Sequence, residues 1–264
     1  MKLFYQHLLS LYKDNGIIGL CYLASSKMPK LDGFIKKPIL YVYGNKASGK
    51  TEFVKFIFRN KFLDYYINNR TVLEFKSVLR NNQYPFILFD DINKPLDPFV
   101  RECIKSGYDN VTTDCQFIVS GQADLSKDVS LFTRMIFLDF SRMAGFSKNE
   151  KDEFRKLSYI REFALLSHYD FSESNFKAIK SLITADRIIE STFSSAESRL
   201  KENYRSLLAG YYYFADLFQC NEKMVVDIIL RHLERQQLLI SEPTNTFSEN
   251  KESFNVVKRN IAEL

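Results

Sequence analysis

The feature that most constrains this chain is the octet Gly44-Asn-Lys-Ala-Ser-Gly-Lys50-Thr51, set between an apolar run and an amphipathic one. It matches G-x-x-x-x-G-K-S/T, whose glycines let successive backbone N–H groups turn inward around an anion while the following helix aims its positive end at the same point. That chemistry needs a strand before the loop and a helix after it. Pro38-Ile-Leu-Tyr-Val-Tyr43 reads as a strand buried on both faces. Lys50–Asn60, with Phe53, Phe56 and Ile57 on one side, reads as the helix. Within the octet, Gly44, Asn45, Lys46, Ala47, Ser48 and Gly49 form the cradle, Lys50 reaches the β and γ phosphates of a nucleotide, and Thr51 ligates Mg²⁺.

Three further places acquire meaning from that loop. Phe86-Ile-Leu-Phe-Asp90-Asp91 is an apolar strand ending in two acids, so Asp90 is the expected metal residue and Asp91 the carboxylate that orients and deprotonates an attacking water. Cys115–Ser120 reads as another strand, and its continuation Gly121-Gln122 places a polar side chain, Ser120 or Gln122, where it can sense a γ-phosphate or hold water. A polar strand end that caps the next helix is the plainer reading of the same residues. Arg134, just before a run at Met135–Phe140, is a candidate arginine finger for the nucleotide of a neighbouring subunit, against the ordinary reading of a surface arginine.

Strands alternate with helices up to Phe140, which predicts an α/β fold with a mainly parallel sheet. A weak strand near Leu63–Ile67 and helices at Val72–Leu79 and Asp97–Ser106 fill the alternation. Residues 1–36 read as an N-terminal helical segment, 37–146 as the core carrying the loop, and 147–264 as a C-terminal helical subdomain. The last is drawn from helical periodicity at Asn149–Ser167, Ser174–Phe193, Glu197–Phe218 and Glu222–Gln237, and its start from a capping box of Ser147 and Glu150. His168 and His232 lie in helical patterns without partners, and Tyr211-Tyr-Tyr-Phe214 reads as core sooner than as a base-stacking platform.

Composition excludes several classes. Cys21, Cys103, Cys115 and Cys220 form no C-x-x-C pair, which argues against a zinc site or a disulfide framework and for a reducing cytoplasm. No apolar run nears the ~20 residues of a membrane span, and MKLFYQHLLSLYKDNG breaks its apolar stretch too early for a signal peptide. A cytoplasmic protein with no membrane partner is expected. The formal charge of +5 suits a phosphate-rich partner and equally an ordinary basic protein.

With these residues in view, the chain resembles the ATPase portion of primase–helicase-like replication proteins of mobile elements and phages, akin to superfamily 3 and other AAA+-like helicases. The resemblance rests on Gly19–Ser25, PILYVYGNKASGKTEF, FILFDDIN, SGQADLSKDVSLFTRMIFLDFS and FSKNEKDEF, and spans about Asn15 to Asp170. It implies a P-loop NTPase fold of ASCE/AAA+ type, with ATP and Mg²⁺ as cofactors bound between subunits of a homo-oligomer such as a hexameric ring. It also implies DNA as partner, a primase or other replication protein alongside, and Lys50 and Thr51 as Walker A, Asp90 and Asp91 as Walker B, Gln122 as sensor and Arg134 as finger. Such relatives carry Glu where this chain has Asp91, one methylene shorter. The competing expectations are a nucleotide-switched interaction module with little hydrolysis, and a small-molecule kinase, for which an arginine-rich lid segment is lacking.

Overall fold

The computed structural model describes residues 2–29, 37–58, 62–64, 86–93, 98–109, 115–141, 175–218 and 220–241, with positions 143, 147, 149 and 152. The helices expected at Val72–Leu79 and Asn149–Ser167, His168, and the Ser147–Glu150 capping box fall wholly or partly outside these residues.

Helices α1 (Lys2–Tyr12) and α2 (Asp14–Ser25) precede strand β1 (Ile39–Tyr43), and the glycine-rich loop leads from β1 into α3 (Lys50–Phe58). Then follow β2 (Phe62–Asp64), β3 (Phe86–Ile92), α4 (Pro98–Asp109), β4 (Gln116–Gly121), the short α5 (Val129–Phe132) and β5 (Met135–Asp139). Among the described residues four helices follow: α6 (Asn175–Thr192), α7 (Ser198–Tyr213), α8 (Ala215–Phe218) and α9 (Glu222–Ser241).

The five strands pair parallel in the order β2-β3-β4-β1-β5. The α/β class and the parallel sheet therefore stand as expected. β4 lies between β1 and β3, so the strand that feeds the loop and the strand that ends in Asp90 are separated by the strand that ends in Ser120-Gly121. All three discharge at the same edge of the sheet. In open parallel sheets the crevice beyond the carboxyl ends, where successive connections diverge to opposite sides, is where ligands bind.

Continuous apolar runs become two cores because side chains alternate across a strand. Leu40 and Val42, with Leu88, Ile118, Ile136 and Leu138, face a layer containing α2, α3, α7 and α9. Ile39 and Tyr41, with Ile87, Phe89, Phe117, Val119 and Phe137, face Ile104 and Tyr108 of α4 and Leu131 and Phe132 of α5. Each fully buried side chain of this size contributes about 2 kcal/mol through area removed from water.

The first of these cores draws on all three of the expected segments. Leu8, Ile18 and Tyr22 of the N-terminal helices, Val42 and Ile136 of the sheet, and Leu207, Ile229 and Leu233 of the C-terminal helices belong to one contiguous buried cluster. α2 is pinned along the sheet at both ends: Tyr22 Oη donates to the Pro38 and Phe117 carbonyls at 2.9 and 3.1 Å, and Asn15 Nδ2 donates to the Asp139 carbonyl at 2.8 Å. An amphipathic helix that covers a sheet face must share that face's core, whatever its place in the chain.

Candidate functional site

The loop leaving β1 is curled. Ala47 and Gly49 take positive φ angles of 64° and 86°, Ser48 N–H donates to Asn45 O at 3.2 Å, and Phe53 N–H donates to Gly49 O at 2.9 Å as α3 begins. Ser48 is buried and Asn45, Lys46 and Ala47 are exposed. Gly44 is demanded by space: a Cβ there would lie 2.7 Å from Ser48 Oγ and 2.8 Å from Phe140 Cβ. The loop is thus held shut from below by the residue that follows β5, and Phe140 N–H also donates to Tyr43 O at 2.7 Å.

Lys50 folds back into this curl. Its Nζ donates to the carbonyls of Gly44 and Asn45, both at 2.7 Å, and approaches Ser48 Oγ at 3.5 Å. Partial burial pulls its pKa below the usual lysine value, while Asp90 and Asp91 act in the opposite direction. The ammonium occupies the mouth of the loop, held by two carbonyl dipoles that a stronger anionic acceptor can replace.

Asp90 stands where the strand pattern put it. Thr51 Oγ1 donates to Asp90 Oδ2 at 3.3 Å, across 39 residues of chain, so the first turn of α3 and the end of β3 meet through the hydroxyl and carboxylate expected to serve one cation. Both are hard oxygen donors of the kind Mg²⁺ takes, and the pair fits that ion together with phosphate oxygens and water. Among the described residues no group of three or more His, Cys, Asp or Glu side chains gathers to hold a metal.

Asp91 departs from the regular strand. The register of β3 against β4 shifts between Phe89 and Ile92, which makes the two acids a bulge, and Asp91 has φ 59°. Its backbone N–H donates to Asp90 Oδ1 at 2.9 Å, fixing the first carboxylate from behind. Its own Oδ1 accepts from Asn93 Nδ2 at 2.8 Å, and Asn93 Oδ1 accepts from Gln122 Nε2 at 3.0 Å. Gln122 therefore joins the acidic end of β3, as its place at the end of β4 required. Ser120, the alternative, is fully buried. Asn93 was not singled out by sequence, although it closes the FILFDDIN run.

Arg134 stands apart from the loop of its own chain. It precedes β5 and so sits at the amino edge of the sheet, where its carbonyl accepts from Ile39 N–H at 3.0 Å. The five residues of β5 place it about 17 Å from the carboxyl edge that carries the loop. Its side chain is buried, donates to Ser130 O and Ser130 Oγ, and lies over the Tyr108 ring at 5.7 Å. An arginine packed in this way braces α4 against α5 and is not presented to a neighbour. Tyr211, Tyr213 and Phe214 are likewise buried, with Tyr211 stacked on Phe218, so the aromatic run is core.

No protein-family model matches the chain, and no curated protein matches it by sequence. No helix among the described residues is long and apolar enough to cross a membrane.

Proposed function

We propose that this chain is a P-loop ATPase of ASCE/AAA+ type that binds ATP with Mg²⁺, hydrolyses it, and works as an oligomer on DNA in a helicase-like role. The observation that carries the nucleotide reading is the Thr51–Asp90 hydrogen bond at 3.3 Å beneath a curled loop, with the Lys50 ammonium already in its mouth. A structural ion pair would not explain why a lysine, a threonine and two acids from separate elements converge at the carboxyl edge of the sheet.

In this reading the loop amides and Lys50 bind the β and γ phosphates, Lys50 exchanging the Gly44 and Asn45 carbonyls for phosphate oxygens. Thr51 and Asp90 hold the magnesium, which supplies neutralisation of phosphate charge when bound. Asp91 accepts the proton of the attacking water, and Gln122 stands at the γ-phosphate side of the site. Arg134 has no part in it. The DNA and oligomer assignments rest on the resemblance of the motifs, to which the charge of +5 is agreeable.

The test is ATP binding and turnover with and without single- and double-stranded DNA, on the wild type and Lys50→Ala. We expect DNA to raise turnover several-fold and Lys50→Ala to lose nucleotide binding while keeping its melting temperature. Equal turnover with and without DNA ends the motor reading, and undiminished ATP binding by Lys50→Ala ends the phosphate-loop reading altogether.

A second reading, a nucleotide switch, is favoured by one contact. Arg235 of α9 pairs with the buried carboxylate of Asp139, which pairs across from Tyr43 at the base of the loop. The helical tail is thereby tied to the loop's support. Tight ATP binding with negligible turnover, and an α9 whose protease sensitivity changes on binding, would select the switch over the motor.

A further inference from the structure

The acidic end of β3 is organised by a side chain that no motif names. Ile92 is the fixed point: its carbonyl accepts from both Gln122 N–H at 2.8 Å and Ala123 N–H at 3.0 Å. The approach is so close that a Cβ on Gly121 would lie 2.1 Å from that oxygen. The backbone on either side of the contact, Asn93 just after β3 and Gln122 just after β4, is therefore set by this contact even though both side chains are exposed. From these two anchored positions the amides reach each other, and Asn93 reaches Asp91.

Asp91 needs such a partner. It sits on a bulge with φ 59°, a left-handed conformation disfavoured for a residue with a Cβ, and the bulge turns its side chain out of the strand's alternation. A carboxylate on a short two-torsion side chain, in an exposed bulge, has several orientations open to it unless something selects one. Asn93 is the selecting group: the amide donates to Oδ1 and leaves Oδ2 available as the acceptor.

We infer that Asn93 is a positioning residue for the water-activating carboxylate, and that Gln122 acts through Asn93 and not independently of it. This rests on the ATPase reading above. The shorter reach of Asp relative to Glu makes the arrangement more demanding, since a carboxylate one methylene shorter tolerates less misorientation before it loses the water.

The experiment compares Asn93→Ala, Asn93→Asp, Gln122→Ala and the Asn93→Ala/Gln122→Ala double variant, each by ATP titration, by steady-state turnover and by melting. Asn93→Asp keeps the shape of the side chain and an oxygen for Gln122, but cannot donate to Asp91. A positioning role predicts that kcat falls about ten- to a hundredfold in both Asn93 variants while the ATP dissociation constant stays within about twofold. It also predicts that the double variant loses no more than Asn93→Ala alone. In the nucleotide-free protein, the Asn93 side-chain amide resonance should move on Asp91→Ala and on Gln122→Ala. Wild-type kcat in Asn93→Asp, equal losses of affinity and kcat, additive losses in the double variant, or an unmoved amide resonance overturns the inference. A wild type that binds ATP without turnover overturns it and leaves the phosphate-loop reading standing, whereas a wild type that binds no ATP removes both.

Discussion

Two pairs of amides make an instructive contrast. At the carboxyl edge of the sheet, Asn93 and Gln122 are exposed and bond to each other and to a carboxylate. Along the outer edge of β5, Asn203 and Gln236 are buried and bond to backbone. Gln236 Nε2 donates to Phe132 O and Met135 O at 3.0 and 2.8 Å, while its Oε1 accepts from Phe137 N–H and from Tyr204 Oη. Asn203 Nδ2 donates to Thr133 O at 3.0 Å, and its Oδ1 accepts from Tyr108 Oη at 3.1 Å.

The second pair solves the problem of an edge strand, whose unpaired N–H and C=O groups would otherwise be buried without partners under α7 and α9. Every lone pair and proton of Gln236 is committed, so it can only hold. The first pair is anchored through backbone at one end and open to water at the other, so it can hold a carboxylate in one setting and release it. Identical chemical groups thus give rigidity or adjustability according to what they are bonded to and how wet they are.

The contrast breaks first at Gly121. Gly121→Ala drives a methyl into the Ile92 carbonyl, and we expect a loss of about 3 kcal/mol or more in urea unfolding, with loss of nucleotide binding as the β3–β4 contact opens. Stability unchanged within about 0.5 kcal/mol would show that the contact is not rigid.

Gln236→Ala should cost about 2–3 kcal/mol, because it orphans buried backbone groups of β5 together with the Tyr204 hydroxyl. Gln122→Ala, an exposed change of the same chemistry, should cost less than about 0.5 kcal/mol in the same titration. Similar costs for the two would erase the distinction drawn here.

Arg235→Ala should cost about 2 kcal/mol. It leaves the Asp139 carboxylate, only 3% exposed, with Ser141 N–H and Oγ as its remaining donors among the described residues, and Arg235 itself is partly solvated, which tempers the loss. Arg235→Lys should recover only part of it, since a point charge replaces a planar fork.

The last effect is one of pH, absent near neutrality and growing as the medium is acidified. His232 is held neutral well below the usual histidine range, at about 3, by burial first and then by Arg235 and Arg231, with the Phe137 backbone and Asp139 acting in the other direction. The unfolded chain takes up a proton near pH 6.5 that the folded chain refuses, so stability falls as pH drops from about 6.5 towards 3. The slope attributable to this one group approaches about 1.4 kcal/mol per pH unit at most, and a His232→Gln variant should show a flatter acid limb. An unchanged limb would mean that His232 takes its proton in the folded state.

Much of the candidate site was legible from residue order because its parts are local. The glycine spacing, the apolar run before it and the amphipathic run after it fall within one strand–loop–helix unit, and each dictates its own conformation. The strand expected at Pro85–Asp90 appears as β3, ending two residues later because the bulge at Asp90-Asp91 carries it on to Ile92. Arg134 marks the limit of that locality: chain position before a strand shows which edge of the sheet a residue occupies, but not whether Tyr108 and Ser130 will close over it.

What residue order by itself determined here is the alternation of β and α, the glycine-rich loop between β1 and α3, and the two acids that end the strand, since periodicity and glycine spacing act over a few residues. Only the tertiary structure decided that β4 slips between β1 and β3, that Asn93 holds Asp91, and that Asn203, Gln236 and His232 guard the edge of β5. Those outcomes depend on which backbone groups packing leaves unpaired, and a hydrogen bond between Phe137 and Gln236, 99 positions apart, has no trace in the local pattern of either residue.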